Sequence, residues 1–250
     1  MNTSLRCTSA ASFLGRACAL AAALLLVQLG SPVAAQAAFG TNLIINPGAE
    51  AGSGNANGDA VGAGNVPGWS NTAEFTVVQY GPDYGFPTAG DPGPADRGTN
   101  FFAGGPDNSL SWAEQTIDVS FASAQIDGAG VNYSLSGWLG GFLDNGDNAV
   151  LTAEFRNGAS VLGSASIGPV SASDRGNATA LLFREATGVV PVNTDGVRFL
   201  LTMTRPGGSV YNDGYADNLS FTLTPVPEPG PWLLTLAGLA LVALRVRRGA

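Results

Sequence analysis

Val197-Arg198-Phe199-Leu200-Leu201-Thr202-Met203-Thr204 is the stretch on which the fold class turns. Val197, Phe199, Leu201 and Met203 fall on one side of an extended chain, and Arg198, Thr202 and Thr204 on the other, which is the two-residue period of a strand with one buried face. The same period recurs at Leu219, Phe221 and Leu223 against Ser220, Thr222 and Thr224, and at Leu151, Ala153 and Phe155 against Thr152, Glu154 and Arg156. Asn157-Gly158 follows the last of these runs and predicts a tight hairpin into Ser160–Ile167. Val131 to Leu139 reads as a further strand, with Tyr133 and Leu135 inward and Trp138 outward, or the reverse. Only Phe121–Ile126 offers a short helix, and no internal repeat is visible. Short apolar runs between frequent turn residues (35 Gly and 15 Pro) predict an all-β sandwich.

Two apolar ends flank this pattern. Residues 1–37 read as a secretory signal peptide: a start carrying Arg6 and Arg16 without acids, an apolar run over Ala17–Leu29, and the small-residue site Ala35-Gln36-Ala37. At the other end Val226-Pro227-Glu228-Pro229 is a stiff, non-helical spacer, because each proline restrains itself and its predecessor. Trp232 to Leu244 then carries no charge, and Arg245, Arg247 and Arg248 close the chain. The 18 residues Pro229 to Val246 would span roughly 27 Å as a helix, slightly less than the ~30 Å hydrocarbon core. Arginines suit the cytoplasmic side of such a span; by length alone, a buried core helix is the other reading.

The order of spacer, short apolar helix and arginine cluster over residues 226–250 resembles the bacterial PEP-CTERM protein-sorting signal. That resemblance implies processing by an exosortase near Pro227-Glu228-Pro229, with the helix holding the chain in the membrane until then. It also implies export across the inner membrane of a Gram-negative bacterium, to the envelope, cell surface or biofilm matrix. Arg245 precedes the end of the apolar run by one residue, a small departure from the pattern.

Residues 38–225 remain as one domain with enough chain for a sizeable core. All 19 acids lie between Glu50 and Glu228 with only six of the 11 basic residues, a formal charge of −13 for that stretch, and the chain has no lysine. Such a surface argues against nucleic acid, whose phosphates require basic clusters, and suits a neutral sugar or a calcium-rich exterior. Cys7 and Cys18 both lie in the leader and histidine is absent. The exported part therefore has no disulfide, no thiolate or histidine metal site, and no cysteine- or histidine-dependent catalysis. Chemistry based on a pair of carboxylates is the remaining enzymatic option.

Asn42-Leu43-Ile44-Ile45-Asn46-Pro47-Gly48-Ala49-Glu50 opens the domain and Ala216-Asp217-Asn218-Leu219-Ser220-Phe221 closes it. This pair of edges resembles the jelly-roll carbohydrate-binding modules of the galactose-binding-like superfamily. The resemblance implies first and last strands side by side, and a structural Ca2+ held by Glu50 and Asp217. Two carboxylates supplemented by carbonyls make a suitable hard-oxygen set; two solvated acids at strand ends are the plainer alternative.

Sugar binding needs aromatic faces beside convergent polar groups. Arg97, Asn100, Tyr211, Asp213 and Tyr215 offer that combination, the last three in a stretch that reads as a loop before the final strand. Trp69, Phe101, Trp112 and Trp138 are each better placed as core residues. Asp144-Asn145-Gly146-Asp147-Asn148 reads as a polar turn, with a second calcium site as the sharper alternative. Asp91 with Asp96 and Glu114 with Asp118 are the acid pairs open to glycosidase chemistry. The expectation is a non-catalytic polysaccharide-binding module. A structural matrix or surface protein without a small ligand is the alternative, and a carboxylate-dependent glycan-active enzyme stands behind both.

Overall fold

The computed structural model describes residues 39–81, 85–207 and 210–227; the stretch expected to be a signal peptide, and the expected sorting signal from Glu228 onward, lie outside them. Ten strands occur among the described residues: β1 (Ser70–Asn71), β2 (Thr76–Gln79), β3 (Asn100–Pro106), β4 (Leu110–Asp118), β5 (Val131–Gly141), β6 (Asn148–Asn157), β7 (Ser160–Ile167), β8 (Ala180–Val189), β9 (Gly196–Thr204) and β10 (Tyr211–Pro225). They form two five-stranded sheets ordered β2-β3-β10-β5-β8 and β1-β4-β9-β6-β7, with every pairing antiparallel. A 3-10 turn at Ser120–Ala122 and the one-turn helix α1 (Ser123–Asp127) form the expected short helical stretch. No helix among the described residues is long and apolar enough to cross a membrane.

The alternating residues meet between the sheets. Val197, Phe199, Leu201 and Met203 of β9 and Leu151, Ala153 and Phe155 of β6 are buried, as are Leu135 and Leu139 of β5 and Leu219, Phe221 and Leu223 of β10. All belong to one apolar cluster, in which each large side chain contributes about 1.5–3 kcal/mol by burial. The Phe221 ring lies 5.1 Å from Phe199 and 6.0 Å from Tyr133. Tyr133 and Leu135 thus point inward and Trp138 outward, which resolves the two options for β5. Asn157-Gly158 closes the β6–β7 hairpin, with Gly158 at φ +54°. Trp69 and Phe101 are buried, whereas Trp112 and Trp138 are half-buried on outer faces.

Two expectations are corrected. Tyr211-Asn212-Asp213-Gly214-Tyr215 is not a loop but the first third of β10, paired with β3. The opening stretch lies beside β10, but as bends and turns and not as a first strand. Backbone bonds from Gly40 N to Leu223 O and from Leu43 N to Phe221 O, both 2.9 Å, tie it to β10, and Asn42 adds to them: its Oδ1 accepts from Phe221 N at 3.0 Å and its Nδ2 donates to Leu219 O at 2.9 Å. Gln115 brackets Ile45 in the same way, accepting from its N–H at 2.9 Å and donating to its carbonyl at 3.0 Å.

Among the described residues, every strand pairing and both apolar clusters fall within residues 39–225, so that stretch carries its own core and its own sheet hydrogen bonds.

Candidate functional site

The outer face of the β2-β3-β10-β5-β8 sheet carries the polar side chains of interest. Period two along β10 places Tyr211, Asp213, Tyr215 and Asp217 on this face, and Phe101 and Ala103 of β3 join them. Over them lie Tyr80 and Phe86, with the Phe86 ring 5.4 Å from Tyr211 and 6.2 Å from Phe101. Arg97 ties the covering segment together. It donates to the carbonyls of Thr88 (2.7 Å), Pro94 (2.9 Å) and Asp91 (3.0 Å), and its guanidinium sits 5.1 Å from the Tyr80 ring centre.

This cover buries Asp213 and Tyr215 and leaves Tyr211 half-buried, three of the residues selected for ligand contact. The Tyr215 hydroxyl donates to Asp213 Oδ1 at 2.6 Å, Asn145 Nδ2 donates to Asp213 Oδ2 at 3.1 Å, and the Tyr211 hydroxyl donates to Gly58 O at 3.0 Å. Asp147, within the stretch read as a polar turn, is buried and its Oδ2 accepts the Asp213 N–H at 2.8 Å. Burial raises the carboxyls of both Asp147 and Asp213, and raises the Tyr211 and Tyr215 hydroxyls well above their ordinary range. Buried Arg175 donates to the carbonyls of Val170 (3.0 Å), Leu143 (3.0 Å) and Asn145 (3.1 Å). These residues are brought together as an internal polar network.

Arg97 stays with the covering segment, whereas Asn100 belongs to a second locus, around Glu50 and Asp217. Glu50 Oε1 accepts the backbone N–H of Asn100 at 2.7 Å and of Thr99 at 2.9 Å. Asn100 is buried and its amide holds the Glu50 turn through the carbonyls of Ala49 (3.1 Å) and Gly52 (3.2 Å). Asp217 is fully buried, and accepts from the Tyr80 hydroxyl at 2.7 Å and from Asn218 N at 2.7 Å. Burial, with the Glu50 charge adding to it, pushes its carboxyl up to about 7.

The backbone here is shaped to bring oxygens together. A Cβ added to Gly48 would lie 3.1 Å from Asn218 Oδ1, 3.2 Å from Asp217 Oδ1 and 3.9 Å from Glu50 Cγ. Three non-glycine residues around it, Asn46, Ala49 and Asn218, have φ of +49°, +62° and +45°, a conformation that costs an L-residue such as alanine about 1–2 kcal/mol. Asp217 and Glu50 repel each other across a glycine-floored cradle. Calcium takes six to eight hard oxygens, and the two carboxylates and the Asn218 amide oxygen near Gly48 are of that chemical type. Among the described residues no group of three or more acidic, histidine or cysteine side chains surrounds a common point, so amide and backbone oxygens would have to complete the shell.

The rest of the outer face, over β10, β5 and β8, is open. Cross-strand registers align Asp217, Trp138 and Phe183 in one row, Ser220, Ser136 and Glu185 in the next, and Thr222, Ser134 and Thr187 in a third. Trp138 and Phe183 meet edge to face at 5.9 Å, and Phe183 is 47% exposed. Ser134 Oγ donates to Glu185 Oε1 at 2.8 Å. The sheet end beyond these rows opens into a shallow groove of about 460 Å³, lined by Asn132, Ser134, Thr187, Val189 and Thr224. Sequence reading missed this face because the parity of Trp138 is undecided along β5 itself; only the pairing with β8 puts Phe183 beside it.

The acid pairs are otherwise engaged. Asp91 Oδ2 accepts from Thr88 N at 2.7 Å, and Asp96 Oδ1 accepts from Asn218 Nδ2 at 2.8 Å. Glu114 receives the Arg198 guanidinium, and Asp118 accepts from Ser120 N at 2.7 Å. Glu114 and Asp118 stand four residues apart on β4, roughly 13 Å along the strand.

No family model and no curated protein matches this chain. Similar solved structures include TmCBM61 in complex with beta-1,4-galactotriose, at 17% identity and TM-score 0.42, covering 74% of this chain and 99% of that one. A cyclase from Fischerella sp. TAU is similar at 16% identity and TM-score 0.47, with 74% and 97% covered. The CBM22-2 xylan-binding domain from Paenibacillus barcinonensis Xyn10C is similar at 11% identity and TM-score 0.37, with 64% and 94% covered.

Proposed function

We propose that residues 39–225 form an exported, non-catalytic polysaccharide-binding domain, with the ligand lying across the open face of β10, β5 and β8. The observation that carries this reading is the Trp138–Phe183 pair beside parallel rows of Ser220, Ser136, Thr222 and Ser134. A sugar ring presents a C–H face to an aromatic surface and hydroxyls to hydroxyl and amide partners, and an extended flat face suits a chain of such rings. Glu50 and Asp217 hold a structural Ca2+ that pins the opening turn to β10. The tail directs the protein through exosortase processing to the envelope or extracellular matrix. The spacing of Glu114 and Asp118, roughly 13 Å along β4 against the ~5–9.5 Å of a glycosidase pair, supports a binding role for that pair's surroundings over a catalytic one.

The test is a glycan array followed by calorimetry on residues 39–225. Retention of a neutral polysaccharide is expected, with Trp138→Ala weakening it about tenfold or more while the melting temperature stays close to that of the parent. Equal binding by Trp138→Ala would place the ligand elsewhere, and retention of no glycan would leave the structural-matrix alternative in its place.

A further inference from the structure

The four sheet edges are not protected alike. β1 is two residues long. β2 is four residues long, and Asn55 already occupies its outer side, donating to Val77 O at 2.9 Å and accepting from Gln79 N at 3.2 Å. β8 carries Arg184 and Glu185, and its Leu181 N–H is taken by Pro92 O at 2.9 Å. Short strands, charges and covering segments are the usual ways in which proteins blunt edges against pairing. Among the described residues β7 has none of these three, and its one irregularity is the register shift against β6 before Gly163. Its eight residues, Ser160-Val161-Leu162-Gly163-Ser164-Ala165-Ser166-Ile167, include no charge and no proline, and among the described residues its backbone bonds only β6.

We infer that β7 is a self-association edge at which a second copy of this domain pairs antiparallel, joining two β1-β4-β9-β6-β7 sheets across a two-fold axis. An antiparallel edge is self-complementary, because a two-fold rotation presents each strand's donors to the other's acceptors. The register with β6 is unbroken from Gly163 to Ile167 and shifts only before Gly163, so the flat part of the edge is five residues long. A two-fold axis at Ala165 sets Ser164 of one copy against Ser166 of the other, and these small side chains let the backbones approach. Val161 and Leu162, 53% and 40% exposed, gain apolar cover at the rim. Charge favours this edge over the rest of the surface. The exported stretch carries −13, yet β7 is neutral and the nearest charged row, Glu114, Arg198, Glu154 and Arg156, balances internally. Five paired residues bury little beside the ~1,600 Å² of a standard interface, so the association is weak and concentration-dependent. This inference is independent of the glycan face, which lies on the other sheet.

Sedimentation velocity of residues 39–225 across the micromolar to millimolar range tests it. The expected result is a reversible monomer–dimer equilibrium, weakened about tenfold or more by Ser164→Lys/Ser166→Lys, which sets like charges opposite one another. Thr187→Lys on β8 should leave it unchanged. Amide exchange at Ser164–Ile167 should slow as concentration rises, which reads the edge directly without a variant. A monomer at every concentration overturns the inference, as does a dimer indifferent to the β7 lysines or one abolished by Thr187→Lys.

Discussion

The Tyr80 hydroxyl donates to Asp217 Oδ2 at 2.7 Å, joining residues 137 positions apart and closing the covering segment onto β10. Each depends on the other: the carboxylate needs a donor because it is fully buried, and the hydroxyl is raised by burial and by that carboxylate. Tyr80→Phe keeps the ring but leaves Asp217 with the Asn218 N–H alone. The expected cost is about 1–3 kcal/mol in urea unfolding, with faster amide exchange in residues 85–98. An unchanged midpoint would mean that water or a cation replaces the hydroxyl without loss.

Calcium removal should destabilise the domain. A cation bound at one hundred times its dissociation constant adds about 2.7 kcal/mol, or roughly 5–10 °C in melting temperature for a domain of this size. Glu50→Gln and Asp217→Asn should each melt at one temperature with or without chelator. A parent protein indifferent to chelation would leave Glu50 and Asp217 as a polar clasp between the opening turn and β10.

Stability should fall as pH rises from about 4 toward neutrality. Burial holds the Asp147 and Asp213 carboxyls above their ordinary range, so the folded state retains protons that the unfolded chain has released. Folding is then favoured at the acidic end of that window and loses support as the two groups ionise. Asp213→Asn removes one of them and should flatten the profile measured by thermal unfolding from pH 4 to 7.5. A slope equal to that of the parent would show that Asp213 does not contribute.

Phe221→Ala and Trp138→Ala should separate core from ligand face. Phe221 is fully buried among Phe199, Phe155 and Tyr133, and its truncation should cost about 3–5 kcal/mol. Trp138 is half-buried on an outer face, so its truncation should cost well under half as much in the same denaturant titration. Equal losses would show that Trp138 is a structural residue.

Local chemistry made much of the sandwich legible. Val197 to Met203, Leu151 to Phe155 and Leu219 to Leu223 alternate because one face of each strand is apolar. Asn157-Gly158 declares its hairpin because few other residues take the left-handed turn at so little cost. The edges around Glu50 and Asp217 were legible as a pair by resemblance, and their convergence at Gly48 is a property of the folded chain.

Tyr211, Asp213 and Tyr215 also alternate with period two, yet they read as a loop because every member is polar or amphipathic. What makes that row a buried strand is cover from Tyr80, Phe86 and Arg97, more than a hundred residues earlier in the chain. The open ligand face arises in the same way, since Trp138, Phe183 and Ser220 become neighbours only through the β10-β5-β8 register. The amino-acid sequence by itself determined the strands at Val197–Thr204, Leu151–Phe155 and Leu219–Leu223 with their inward residues, and the acidic, cysteine-free composition of residues 39–225. Only the tertiary structure decided which polar residues are sealed inside and which face the solvent. A side chain's period is set by its own strand, whereas its burial is set by whatever distant segment comes to lie on top of it.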